Sequence, residues 1–271
     1  MTDLTPFLVR IADALDRLAP VPTPVPDLAA CRSFRWDGAH LAAVSPAPPL
    51  PLDRFVGVAM QMAALQQNLA AHANGVEAHD MLLWGARGSG KSALVRAISH
   101  CAGLALVEAG ADTLPSLPAL FACLETRANR FLVFVDDLAF EASDPAIRTL
   151  RSLLDGGVAA RPANTRVAVT SNHRHLVARE ASSSADLPAT MRHARDAMDD
   201  QLALVDRFGL VLGFHTPSQD DFLEMVRRHC AAEGLQANET EALAFALARG
   251  GRSGRTAWHY RTTLLTQNRD A

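Results

Sequence analysis

The segment GARGSGKS, Gly85 to Ser92, holds the only lysine of a 271-residue chain. Of its 26 basic residues, 25 are arginine and Lys91 is the exception. The segment follows a short apolar run, MLLWG, and opens a stretch of helical periodicity, KSALVRAISHCAG. Glycines in such a place let the backbone curl so that successive N–H groups point inward at an anion. A helix starting at Lys91 adds the positive end of its dipole. A slim stem carrying a compact ammonium fits inside such a loop, whereas a broad planar guanidinium does not, which accounts for the single lysine. The implied chemistry is a grip on a polyphosphate, with the Ser92 hydroxyl available to Mg²⁺.

Gly85-x-x-x-x-Gly90-Lys91-Ser92 between a strand and a helix is the P-loop, or Walker A, pattern. It predicts that a nucleoside triphosphate is held by Gly85, Ala86, Arg87, Gly88, Ser89, Gly90, Lys91, Ser92 and Ala93. Further on, FLVFVDD is an apolar strand ending in Asp136 and Asp137, the Walker B pattern. Asp136 would hold Mg²⁺ through water and Asp137 would orient the attacking water. VAVTSN ends in Asn172, whose amide can both donate and accept without competing as a charge.

These groups need strands that end in them and helices that cover the strands. The apolar runs MLLWG, LALVEAG, FLVFVDD, TRVAVTSN and GLVLGFH read as strands. AMQMAALQQNLAAHANG, KSALVRAISHCAG, LPSLPALFACLETRANR, DPAIRTLRSLLDGG and DDQLALVDRF read as the helices between them. Alternation of this kind predicts an α/β fold, a parallel sheet covered on both faces in three layers. After His215 only helices follow: SQDDFLEMVRRHCAAEG, ETEALAFALARG and GRTAWHYRTTLLTQN. The expected organisation is an N-terminal helix and proline-rich arm over residues 1–51, an α/β core over 52–216, and a small C-terminal helical lid over 217–271. Residues 19–51 hold eight of the fifteen prolines, and CRSFRWDGAHLAAV among them could dock a strand or hairpin onto the core.

The whole set resembles the AAA+ P-loop ATPases from about Asp53 to Gln267. It is most similar to an uncharacterised bacterial family of that group, the domain of unknown function numbered 815. The quoted similarities are LLWGARGSGKS, VDDLAFE, TSNHRHL, DRFGL and GGRSGRTA. The resemblance implies binding and hydrolysis of ATP with Mg²⁺. Lys91, Asp137, Asn172 and Arg207 would be catalytic, and Ser92 and Asp136 would hold the metal. Asn172 would be sensor 1, beside the γ-phosphate. Arg207 would be an arginine finger reaching into a neighbouring subunit, so a homo-oligomer, a ring or spiral, is implied. Arg255 would be sensor 2, with Arg252 the runner-up. Phe55, Val56 and Gly57 would contact adenine. The family's second Walker B acid is usually glutamate; Asp137 is one methylene shorter, which implies slow turnover. Glu141 is an alternative base. The loop AGADTLPS lacks the aromatic-aliphatic-glycine triplet of protein-threading machines, which argues against an unfoldase.

Composition adds bounds. With 49% hydrophobic and 20% charged residues the chain is an ordinary globular protein, and its formal net charge of −3 does not call for nucleic acid or an anionic membrane. The four cysteines are scattered, which reads as buried thiols in a reducing cytoplasm. No membrane segment or signal peptide is read. His173 and His175 have a two-ligand spacing without an evident third and read as polar loop. Residues 178–200 read as a long polar loop. The expected partner is an unknown protein or nucleic acid. Three rivals stand beside the ATPase: a nucleotide-dependent switch or adaptor with little turnover, a small-molecule kinase, and a DNA-associated loader.

Overall fold

The structure, a computed structural model, describes residues 31–139, 145–155, 161–172 and 203–268, together with positions 5, 10 and 14. Glu141, His173, His175, the loop 178–200 and nearly all of the N-terminal helix expected over residues 3–18 lie outside the described residues.

Seven strands form one sheet: β1 (Ser33–Trp36), β2 (Leu41–Ala43), β3 (Met81–Gly85), β4 (Ala105–Ala109), β5 (Phe131–Val135), β6 (Thr165–Ser171) and β7 (Leu210–Phe214), in the order β2-β1-β4-β5-β6-β3-β7. Every pairing is parallel except that of β1 with β2. β5 is buried throughout, as a central parallel strand covered on both faces must be. Its side chains divide by the pleat. Phe131, Val133 and Val135 join one core with α3 (Leu117–Glu125) and α4 (Pro145–Leu154). Leu132 and Phe134 join the other with α1 (Ala59–Ala73) and α2 (Lys91–Cys101). The result is a mostly parallel α/β sandwich of three layers.

The region after β4 read as mostly helix divides into a 3₁₀ turn, Ala111–Ser116, and α3. Pro115 and Pro118 cause the division, because neither can donate an N–H; Pro118 is tolerated in the first turn of α3, where that donor has no helical partner.

The sheet corrects the expected boundary at residue 51. β1 pairs in register with β4, Phe34 opposite Val107, and Phe34 and Trp36 enter the main core. Trp36 Nε1 also donates to Ser116 Oγ at 2.7 Å. The sheet therefore includes residues 33–43, and the proline-rich backbone 44–51 that follows β2 is a strap without helix or strand. The C-terminal helices α5 (Gln219–Ala231), α6 (Glu239–Ala248) and α7 (Gly254–Gln267) pack around a separate core of Phe222, Val226, Cys230, Ala242 and Tyr260. Ser218 caps α5 in a reciprocal capping box with Asp221. Cys230 is the one fully buried thiol; Cys101 is exposed, and all four cysteines are free. Among the described residues no helix is long and apolar enough to cross a membrane.

Two buried histidines tie helices to their surroundings. His72 of α1 donates from Nε2 to the Phe131 carbonyl at 3.0 Å, and its Nδ1 is buried without a partner. Burial pushes the His72 pKa from 6.5 down to about 4. His229 of α5, edge-on to the Trp258 ring, is held down to about 4 by burial and then by the charges of Arg54 and Arg261. A folded pKa below the unfolded one means that the unfolded chain takes up the proton first. The contribution is complete above 6.5 and is lost as pH falls towards 4. The unfolding free energy obtained from urea titrations should therefore fall steadily across that window, by on the order of 3 kcal/mol per histidine. His72→Gln, which keeps a donor for the carbonyl, should remove about half of the pH slope; an unchanged slope would contradict the assignment.

Candidate active site

The loop between β3 and α2 has its shape because of where β7 lies. Gly85 ends β3 with φ +130°, and a Cβ there would stand 1.9 Å from the Phe214 carbonyl oxygen. That carbonyl accepts from the Ala86 N–H at 2.9 Å, so only glycine lets the loop start this close to β7. Gly90, with φ +94°, is the residue from which α2 springs.

Lys91 is the first residue of α2, and its side chain runs back under the loop. Nζ donates to the carbonyls of Gly85 and Ala86, each at 3.0 Å, and to Asn172 Oδ1 at 2.9 Å. The residue is 5% exposed, and three acceptors match its three donors. Burial lowers the ammonium pKa, while the charges of Asp137 and then Asp136 act to raise it.

β5 and β6 deliver the acids and the amide. Asp136 Oδ1 accepts from Ser92 Oγ and from Thr170 Oγ1 at 2.6 Å, and its Oδ2 accepts from Arg96 Nη2 at 3.2 Å. Thr170 Oγ1 in turn accepts from the Asp137 N–H at 2.8 Å. Asp137 sits at φ +57°, left-handed backbone that is uncommon for a non-glycine residue. The Asn172 Nδ2 donates to Asp137 Oδ1. Asn172 thus links the two halves of the site, accepting from Lys91 and donating to the second acid.

These groups line a cavity of about 800 Å³. Residues 87–93 of the loop line it; Gly85 and Ala86 lie behind, their carbonyls turned to Lys91. Phe55 and Val56 line it, whereas Gly57 packs against Asp221. Arg255 lines it and Arg252 does not. The lid reaches the loop directly, the Gly254 N–H donating to the Gly88 carbonyl at 3.0 Å.

Arg207 lies away from this cavity. It follows the short helical stretch at 203–205, and its guanidinium donates to Asp155 and to the Ala203 carbonyl. Its ion-pair partner is Asp155.

Sequence reasoning missed several lining residues. Arg96 stands four residues after Ser92, one turn along the same helix face, so its reach towards Asp136 was visible in the spacing. Thr170 stands two before Asn172, on the same face of β6. Pro48, Pro49 and Pro51, read as part of an arm, wall the cavity beside Phe55. Nothing in their composition signals that.

The residues fit a bound polyphosphate and a divalent cation. The loop keeps left-handed glycines where a side chain would intrude, the Ser89 hydroxyl is buried with no partner, and one ammonium and one helix N-terminus face the same space.

Residues 29–268 match the family model described as "Protein of unknown function (DUF815)". The chain belongs to this family. The fold is similar to that of RuvB from Thermotoga maritima. A mutant of that protein superposes with a TM-score of 0.55 at 18% identity, over 79% of this chain and 64% of that one. The form described as a Holliday junction branch migration motor gives 0.52 at 20% identity, over 79% and 63%. The chain therefore spans less than two thirds of those RuvB chains, and at such identity the likeness shows the fold, an AAA+ P-loop fold. No curated protein matches the chain.

The close approach of the loop to β7 gives a direct test. Gly85→Ala should cost about 3 kcal/mol or more, because its Cβ meets backbone. Gly90→Ala, whose nearest contact is Phe55 at 3.6 Å, carries mainly left-handed strain of about 1 kcal/mol. Chemical denaturation of the two variants should separate them in that order; equal losses would remove the close-approach explanation.

Proposed function

We propose that this chain is an ATPase that binds ATP with Mg²⁺ in the cavity between loop and lid and hydrolyses it slowly, as a homo-oligomeric ring or spiral acting on a protein or nucleic-acid partner away from any membrane. The observation that carries the reading is the unbroken hydrogen-bonded string Lys91–Asn172–Asp137, with Ser92 and Asp136 beside it, along one wall of the cavity.

In this reading the loop amides and Lys91 hold the β- and γ-phosphates, Lys91 exchanging carbonyl acceptors for phosphate oxygens. Ser92 and Asp136 hold Mg²⁺, which supplies charge neutralisation of the phosphate oxygens. Asp137 accepts the proton of the attacking water, and Asn172 fixes both that carboxylate and Lys91. Arg255 reaches the γ-phosphate from the lid, and Phe55 and Val56 face the adenine. Arg207, lying outside its own chain's cavity, stabilises the leaving γ-phosphoryl in a neighbour's once its bond to Asp155 is released. The short Asp137 carboxylate, already engaged by Asn172, favours slow turnover and keeps a nucleotide-dependent switch as the second reading.

Multiple-turnover phosphate release and calorimetric ATP binding, measured together, test this. Lys91→Ala should lose both binding and turnover. Asp137→Asn should bind normally and release phosphate about 100-fold more slowly or worse. Arg207→Ala should also bind normally, with turnover reduced about 1,000-fold, and mixing it with Lys91→Ala should restore part of the activity. Equal phosphate release by wild type, Asp137→Asn and Lys91→Ala would leave the switch and remove the hydrolase.

A further inference from the structure

Arg96 is the cavity residue that the phosphate chemistry leaves unassigned. It stands on α2, and its guanidinium bridges two carboxylates from neighbouring strands. Nε donates to Glu108 Oε1 of β4 at 2.7 Å, and Nη2 donates to Asp136 Oδ2, just beyond β5, at 3.2 Å. The cation also lies over the Phe134 ring, 5.1 Å from its centre. The three side chains are each about one-third exposed, and Arg96 and Asp136 line the cavity, so Arg96 is not a core strut.

Both oxygens of Asp136 are engaged as it stands. Ser92 and Thr170 occupy Oδ1, and Arg96 occupies Oδ2. Thr170 is fixed from behind by the Asp137 N–H, so it is not free to turn away. A divalent cation placed on Asp136 meets a full positive charge within hydrogen-bonding distance of the same carboxylate, and like charges so close repel. The longer of the two bonds of Arg96 is the one that the metal would replace. The shorter bond, to Glu108, and the face of Phe134 give the guanidinium a place to remain.

We propose that Arg96 is the resident counter-ion of the metal site: it neutralises Asp136 while Mg²⁺ is absent and withdraws onto Glu108 when Mg²⁺ arrives with the nucleotide. This rests on the reading of the cavity as a Mg²⁺-nucleotide site and adds to it a residue that sets how much Mg²⁺ loading requires. Arg96 acts here through Asp136 and is a positioning residue.

The test is binding of a non-hydrolysable ATP analogue by the full chain across a Mg²⁺ titration, with circular dichroism as the check on folding. Arg96→Met removes the competitor. It should lower the Mg²⁺ concentration for half-maximal binding by about three- to tenfold, while weakening metal-free analogue binding, which loses a nearby cation. Glu108→Gln removes the residue onto which Arg96 retreats, and should raise the Mg²⁺ midpoint by a similar factor. Opposite shifts from the two variants support the proposal. Midpoints within about twofold of wild type, shifts in the same direction, or equal weakening with and without Mg²⁺ would overturn it. If wild type binds no analogue at any Mg²⁺ concentration, the nucleotide reading fails and takes this inference with it. If wild type binds in a Mg²⁺-dependent way and neither variant shifts the midpoint, this inference alone fails.

Discussion

A charged ammonium in a nearly closed place is the constraint around which the site is arranged. Lys91 is 5% exposed, and a buried cation is tolerated only when its donors are matched. Two acceptors come from the end of β3 and one from the end of β6, so the charge fixes the start of the loop and the position of Asn172 together. Asn172 then has one end committed to Lys91, which leaves its amide nitrogen for Asp137. The second acid is thereby held at the end of a chain that begins at the ammonium. In the proposed function phosphate oxygens would take the place of the two loop carbonyls, while the bond to Asn172 would stay.

The sheet order explains how four sequence-distant groups converge. β3 lies between β6 and β7, and β5 lies on the far side of β6. Because these strands are parallel, Gly85, Asp136, Asn172 and, near the end of β4, Glu108 all emerge at the same edge. Ligands of open parallel sheets sit at this carboxyl edge, where the chain order changes direction. The β1–β2 hairpin extends the sheet beyond β4, on the side of Glu108 and away from the loop, so it lengthens the sheet without crowding the cavity.

Much of this was legible in the sequence because the signals were local. The P-loop spacing, the uninterrupted FLVFV run and the alternation of strands with helices each depend on a few adjacent residues. What escaped depends on long-range placement. Whether the hairpin 33–43 joined the core could be suspected, but its parallel register with β4 is set by strands more than sixty residues away. The proline strap reads as a linker by composition, and only the fold carries it to the cavity wall. Arg207 was readable, through the family resemblance, as an arginine finger at the end of a short helix, but its bond to Asp155 joins the turn before β7 to the residue that follows α4. Arg96 and Thr170 were within reach of spacing arguments. They were passed over because arginine on a helix and threonine in a strand are commonplace.

The lid and the strap form one wall, which meets the loop through the Gly254–Gly88 backbone bond and through Ser253, Arg255 and Phe55 beside the loop glycines. Arg54 donates to the Arg228 carbonyl, while Arg228 donates to the Asp53 carbonyl at 2.6 Å, a reciprocal pair that fixes the segment at 52–55 to helix α5. Phe55 and Val56 follow directly, so the part of the cavity that they line is anchored to helix α5. At the other end, the Gly254 N–H meets the Gly88 carbonyl, and Ser253 caps α7 so that this helix begins there. Two helix N-termini, those of α2 and α7, consequently face the same loop, and anionic charge placed between them attracts both. In the proposed function a phosphate held at the loop would draw on the N-terminus of α7, and α7 packs on α5, the helix to which Arg54 is bonded.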